Sequence, residues 1–415
     1  MSSKSLRLSV FVFLIFSLLI LGCARNTKVD EIDKFLSYCS ENGMFNGTIC
    51  IMEGDEIIYK SAFGIADESK NEKLTTSHAF YLASVSKQFT TMAVMILKER
   101  GVLNYDDNLR MYFPEFPPYA DNVKIENLMT HTSGIPDHFR LGAEKPDLTN
   151  NEVLELLIKQ DSLDFQPGEN SIYSNGAYVL LALIVEKASG QPFHVFMKEN
   201  IFDPLDMNNS LVYDESKPEI SPRVIGYNMF GKIADYNILT SGAGGIYSTI
   251  EDLAKWNKAL YDVKLVSQET LSEAYTSFKL NNDSLTHYGY GWSVRNDSLG
   301  NRVYHSGGLA GFRTYLERNL DTKISFFYLT NYGNSLPMGA INEGIRDILG
   351  GKRYSLPKIP ISKALLGLIR SEGIEKAVDS YRKLKKSEAE KPSIQMRIFF
   401  FMSVVSLVCD KFISG

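Results

Sequence analysis

The 415-residue sequence is poor in cysteine and histidine, with four and six. Cysteines at 23, 39, 50 and 409 form no disulfide framework. An oxidising compartment would permit a Cys39–Cys50 bridge, but none is expected. No Cys/His group has metal-ligand spacing, so neither a metal nor a cofactor is expected. Long basic runs are absent and the net charge is a mild −5, which argues against nucleic acid as a partner. The glycine-rich stretch Ser241-Gly242-Ala243-Gly244-Gly245-Ile246-Tyr247-Ser248 lacks the Gly-Lys-Ser/Thr ending of a phosphate loop. It reads instead as a tight turn lining a cleft.

What is present suits a large core: 44% of residues are hydrophobic and 12% aromatic. The length fits one two-lobed unit or two to three domains. Lys4 and Arg7 precede an apolar run from Leu8 to Leu21, followed by Gly22-Cys23. The run is short for a spanning helix. It resembles a bacterial lipoprotein signal, with an uncleaved membrane anchor as the other reading. The signal implies removal of residues 1–22 and lipid on Cys23. It also implies a body held at the cell envelope outside the cytoplasm, on the periplasmic or outer-membrane face. The oligomeric state is left open.

Residues 30–41 read as an amphipathic helix, and residues 46–63 as a hairpin turning at Glu53-Gly54-Asp55. Helices are expected over 151–160, capped by Asn150 or Asn151, over Tyr178–Lys187 and stopped by Gly190, over Phe193–Asn200, and over Glu251–Leu260. Strands return at Arg302–Gly307, Phe312–Arg318 and Lys323–Thr330. Strands at both ends of the body predict an α+β fold: one antiparallel sheet built from both ends, flanked by helices, with an inserted helical lobe. The body is expected to span 23–350. Residues 351–415 read as a helical tail of unassigned role, with two basic helices around Glu372-Gly373 and an apolar stretch at Ile398–Cys409.

Ser84 precedes Lys87 by three residues, at the start of a helix whose apolar run is Met92, Val94, Met95, Ile96 and Leu97. Residues three apart share a helix face, so the amine can reach the hydroxyl. A poorly solvated lysine loses proton affinity and can then take a hydroxyl proton. The spacing alone is weak, since Ser355–Lys358 and Ser380–Lys383 repeat it. His131, within His131-Thr132-Ser133-Gly134-Ile135-Pro136, is expected to tie down a loop rather than catalyse.

In chain order, Ser84-Val85-Ser86-Lys87, Tyr173-Ser174-Asn175 and His305-Ser306-Gly307 form a specific set. It resembles the serine β-lactamase and penicillin-binding-protein superfamily, in the branch of class C β-lactamases, DD-peptidases and esterase-like members. Leu128–Gly134, Asp203–Met207 and Gly244–Ser248 look like further landmarks of that family. The resemblance implies that Ser84 is acylated and that Lys87 and Tyr173 relay protons, the amine lowering the phenol's proton affinity. It implies an oxyanion hole from the backbone N–H groups of Ser84 and Gly308, and substrate contacts from Asn175, Ser306 and Gly307. His305 stands where many relatives carry lysine, so a fixed cation for a substrate carboxylate is missing. The expected activity is serine hydrolysis of a D-alanyl peptide, a β-lactam or a small ester through an acyl-enzyme. The alternative is a penicillin-binding or sensing protein that deacylates slowly.

Overall fold

The structure is a computed structural model that describes residues 27–228, 231–235, 238–333, 337–359, 365, 368–369 and 372–389. The leader, Cys23 and the apolar stretch 398–409 lie outside these residues. The chain divides into two compact units, the second beginning at Lys358.

In the first unit, helix α1 (27–41) leads into the hairpin β1 (Gly47–Glu53) and β2 (Glu56–Phe63). The ribbon β3 (Ile65–Asp67) and β4 (Glu72–Lys73) follows. A second small sheet joins β5 (Phe80–Tyr81), β6 (Leu211–Val212) and β7 (Ile246–Ser248), with β7 central. Late in the chain come β8 (Ser293–Asp297), β9 (Gly300–Leu309), β10 (Phe312–Asn319) and β11 (Ile324–Thr330). The main sheet runs β2-β1-β11-β10-β9-β8, antiparallel throughout. First and last strands therefore lie side by side, as the sequence predicts.

Alternate side chains of each strand feed two cores. Ile49, Ile51, Tyr315 and Tyr328 face a cluster with Phe35 and Leu36 of α1. Cys50, Met52, Leu316 and Phe327 face the larger cluster shared with the helical lobe. Cys39 and Cys50 thus serve different cores, and both are free thiols.

Between the strands lie α2 (Ser86–Glu99), α3 (Leu109–Tyr112), α4 (Ile125–Met129), α5 (Asn150–Ile158), α6 (Asn175–Ser189), α7 (Phe193–Met197), α8 (Ile250–Ala259) and α9 (Gln268–Ala274). Helix α10 (Met338–Leu349) closes the first unit, and α11 (Ile374–Ala389) lies in the second. Every residue of α2 from Ser86 to Leu97 is buried, so this is a core helix rather than a surface one. Its Phe89 stacks on Trp256 of α8, with ring centroids 4.1 Å apart. Gly101, at φ +68°, follows its end.

Two expectations need correction. Helix α5 is capped by Thr149, which accepts from Glu152 N while Glu152 returns the bond; Asn150 is already helical. Strand β8 and the β5–β7–β6 sheet were not anticipated, being short and without a clean alternation. Of the two tail helices, the second is present as α11, after Gly373 at φ +87°; the first falls largely outside the described residues. Among the described residues no helix is long and apolar enough to cross a membrane.

Candidate active site

Ser84 lies in a 3₁₀ turn, Ala83–Val85, that runs straight into α2. The turn is held from two sides. β5, just before it, pairs with β7. Thr314 of β10 donates to Leu82 O at 2.7 Å. Ala83 adopts φ +50°, a left-handed conformation that costs a non-glycine residue on the order of 1 kcal/mol. Strand β9 approaches this turn so closely that a Cβ on Gly307 would lie 2.4 Å from Leu82 O and 2.2 Å from Thr314 Oγ1. Glycine is required there by contact, not by φ.

Lys87, one turn along α2, is wholly buried. Its Nζ donates to Ser84 Oγ at 3.3 Å, to Asn175 Oδ1 at 2.8 Å and to Ala243 O at 2.9 Å. Burial pulls its proton affinity down to about 7, and Asp137 partly opposes this. The amine is therefore largely free of its extra proton just above neutrality. Ala243 belongs to the glycine-rich loop, which lines the site as a tight turn. Gly242 and Gly245 have φ of +89° and +87°, and Gly242 O accepts from Thr90 at 2.8 Å.

Tyr173 comes from the segment before α6. Lys87 Nζ sits 4.7 Å from its ring centroid. Burial raises the phenol's proton affinity, the Ser84 side chain lowers it and Asp137 raises it. The residue is still 39% exposed, so solvent weakens the upward push. The direction is opposite to the expectation that Lys87 makes the phenol acidic. Lys87 is itself half-neutral near pH 7 and gives the phenol little positive field. The ready base at neutral pH is the amine; the phenol is suited to passing a proton on.

His305, buried on β9, bonds to Tyr288 Oη at 3.0 Å through Nε2 and to Ser306 O at 2.6 Å through Nδ1. Burial and Lys87 lower its proton affinity to about 3. It is a neutral, doubly bonded ring. Its ring centroid lies 6.2 Å from that of Tyr173. Ser306 and Gly308 face the solvent side of β9. β8 pairs with β9 only up to Tyr304, so the edge beyond it is open. Leu309 and Phe312 pair across the two-residue turn Ala310-Gly311, so their pair exchanges ladder bonds. The next pair, Gly308 and Arg313, does not, which leaves the Gly308 N–H pointing away from β10. The Ser84 N–H lies at a helix start, without an intrahelical acceptor. Two donors of the oxyanion-hole kind are thus available.

Asn175 is the first residue of α6. Its Oδ1 accepts from Lys87, and its Nδ2 donates to Asp137 Oδ2 at 2.8 Å. Beside the contact to a substrate amide that the resemblance implies, Asn175 thus holds the lysine. His131 ties its loop down as anticipated: its Nδ1 accepts from Ser174 N at 3.2 Å and its carbonyl from Ile172 N at 3.1 Å. Its ring lies among Tyr173, Tyr178 and Tyr288.

The sequence reading missed Asp137, Tyr288 and the Ala243 carbonyl. Asp137 follows directly on the His131–Pro136 turn, and that adjacency was the available signal. The other two copies of the Ser-x-x-Lys spacing lack this setting. Ser355 and Lys358 are not helical, and Ser380 and Lys383 lie on α11.

Residues 31–349 match the family described as Beta-lactamase. The chain is 32% identical over 365 residues to Penicillin-binding protein 4* of Bacillus subtilis, covering 82% of this chain and 80% of that protein. It superposes on an octameric penicillin-binding protein homologue from Pyrococcus abyssi with a TM-score of 0.69, at 27% identity and covering 81% of each chain. A D-amino acid amidase from Ochrobactrum anthropi shares the fold at TM-score 0.65 and 22% identity, over 79% of this chain and 97% of that one.

Proposed function

Because the chain belongs to the Beta-lactamase family over residues 31–349, we propose that it is a serine hydrolase working through an acyl-enzyme on an amide or ester carbonyl. The observation that carries the reading is Lys87: buried, aimed at the Ser84 hydroxyl, and low enough in proton affinity to accept its proton.

Ser84 Oγ attacks the carbonyl carbon while its proton passes to the Lys87 amine. Charge gathers on the carbonyl oxygen between the N–H groups of Ser84 and Gly308, each worth on the order of 3 kcal/mol in comparable sites. The tetrahedral adduct collapses, the C–N or C–O bond breaks, and the leaving group takes a proton through Tyr173. Water then attacks the ester on Ser84, giving up its proton along the same path, and the acid departs.

Within this class we favour substrates whose scissile carbonyl is flanked by uncharged groups. A neutral His305 offers no fixed positive charge on β9 for the carboxylate that D-alanyl peptides and penicillins carry. The name of the Bacillus subtilis relative keeps penicillin binding in view as the slower reaction. Residues 1–23 further support attachment to the cell envelope through lipid on Cys23.

The test compares nitrophenyl acetate with nitrocefin. The expected result is faster turnover of the ester, and a loss of about a thousandfold or more in Ser84→Ala. Undiminished turnover in that variant removes the nucleophile; a clear preference for nitrocefin removes the substrate reading.

A further inference from the structure

We propose that Asp137 is a positioning residue for the reaction: it grips Asn175 by two hydrogen bonds so that the amide oxygen holds the Lys87 amine against Ser84. The proposal rests on the acyl-enzyme reading but concerns a residue that reading does not use.

The geometry is a chain of bonds from a buried loop to the nucleophile. Asp137 is 6% exposed. Its Oδ1 accepts from Phe139 N at 2.8 Å, which fixes the carboxylate in its own turn. Its Oδ2 accepts from both the backbone N and the side-chain Nδ2 of Asn175, at 3.0 and 2.8 Å. The two bonds orient the amide completely: with Nδ2 turned to Asp137, Oδ1 must face Lys87, and it accepts from Nζ at 2.8 Å. Without Asp137, the amide could turn its NH₂ toward the amine and repel it. The loop and α6 are brought together by Gly176, where a Cβ would lie 2.8 Å from Pro136 O. Ser174 also donates to that carbonyl, at 3.2 Å.

Asp137 also places a negative charge beneath the site. The groups around the amine are Ser84 on its own turn, Tyr173 and Tyr178 from α6 and the segment before it, His131 and His138 from the Asp137 loop, Tyr288, and His305 from β9. The three histidines are held neutral by burial. Asp137 is therefore the anion that opposes the loss of the proton from Lys87, and the same charge raises the proton affinity of Tyr173. Removing it must lower both.

A structural brace alone would not do that, which gives the test its readout. Ser84 is labelled with a fluorophosphonate ester across pH. Oγ bonds phosphorus, the P–F bond breaks, fluoride leaves, and the hydroxyl proton goes to Lys87. The reaction needs no knowledge of the substrate, and a wild-type chain that does not label on Ser84 indicts the acyl-enzyme reading, not this one. In Asp137→Asn the labelling rate falls about tenfold or more. The acid limb of its pH profile, set by Lys87, moves to lower pH by about one unit. Asp137→Glu, which keeps the charge but displaces it, loses rate while its acid limb stays in place. A slower but unshifted Asp137→Asn, with a wild-type thermal melt, overturns the proposal. So does a shifted Asp137→Glu, which decides the matter should Asp137→Asn not fold.

Discussion

Lys87 shows how one buried side chain trades stability for reactivity. A lysine amine in water ionises at about 10.5, whereas burial of Lys87 at 0% exposure brings it down to about 7. Between those two pH values the unfolded chain binds a proton that the folded chain has shed. Stability therefore rises with pH across that window. Lys87→Met removes the titration. We expect the variant to be inactive and more stable than wild type by roughly a few kcal/mol near pH 7. That advantage should shrink steadily towards pH 10, as read by urea melts at several pH values. An advantage of constant size contradicts the assignment. The identity of Lys87 was legible from its spacing to Ser84. How far burial would move its proton affinity was not, because that depends on partners from distant segments: Asn175 Oδ1, Ala243 O and Asp137. A backbone carbonyl leaves no mark in a sequence, and an aspartate in a turn looks like any turn aspartate. The same ignorance of burial led to the wrong direction for Tyr173.

At the scale of elements, the site is a meeting of α2, the segment before α6, and the open edge of β9. The clearest joint is Gly307 against Leu82 and Thr314. Gly307→Ala should push β9 away from the Ser84 turn. The expected cost is about 1–3 kcal/mol of stability, with a larger relative loss in acylation rate. Thermal melts and ester turnover check this together, and a variant with unchanged acylation contradicts the close approach. Most elements of the sheet and lobe were readable from periodicity and stops: β1, β2 and β9 to β11 by alternation, α6 by its apolar run and Gly190. β8 escaped because Ser293–Asp297 is exposed over most of its length and carries no alternating pattern. The β5–β7 pair escaped because two- and three-residue strands have no period to detect. Yet that small sheet is what anchors the chain just ahead of Ser84.

For the molecule as a whole, the sheet is sealed by strands from opposite ends of the first unit, β1 against β11. The nucleophile, the phenol and the imidazole come from segments far apart in sequence, and the rings of Tyr173 and His305 lie 6.2 Å apart. The antiparallel sheet with an inserted lobe could be read from where strand patterns began and ended. The N-terminal segment carries a separate expectation about place. Cys23→Ala should abolish incorporation of a labelled fatty acid into the protein; a variant that still takes up the label contradicts lipid attachment at that residue.

The central claim is that Ser84, activated by Lys87, becomes acylated. Intact-mass and peptide-mass spectrometry after rapid quenching from an activated ester tests it most directly. The account predicts one acyl group, on the peptide carrying Ser84, absent in Ser84→Ala and strongly diminished in Lys87→Met. An acyl group on another residue, or equal labelling of Ser84→Ala, would contradict it.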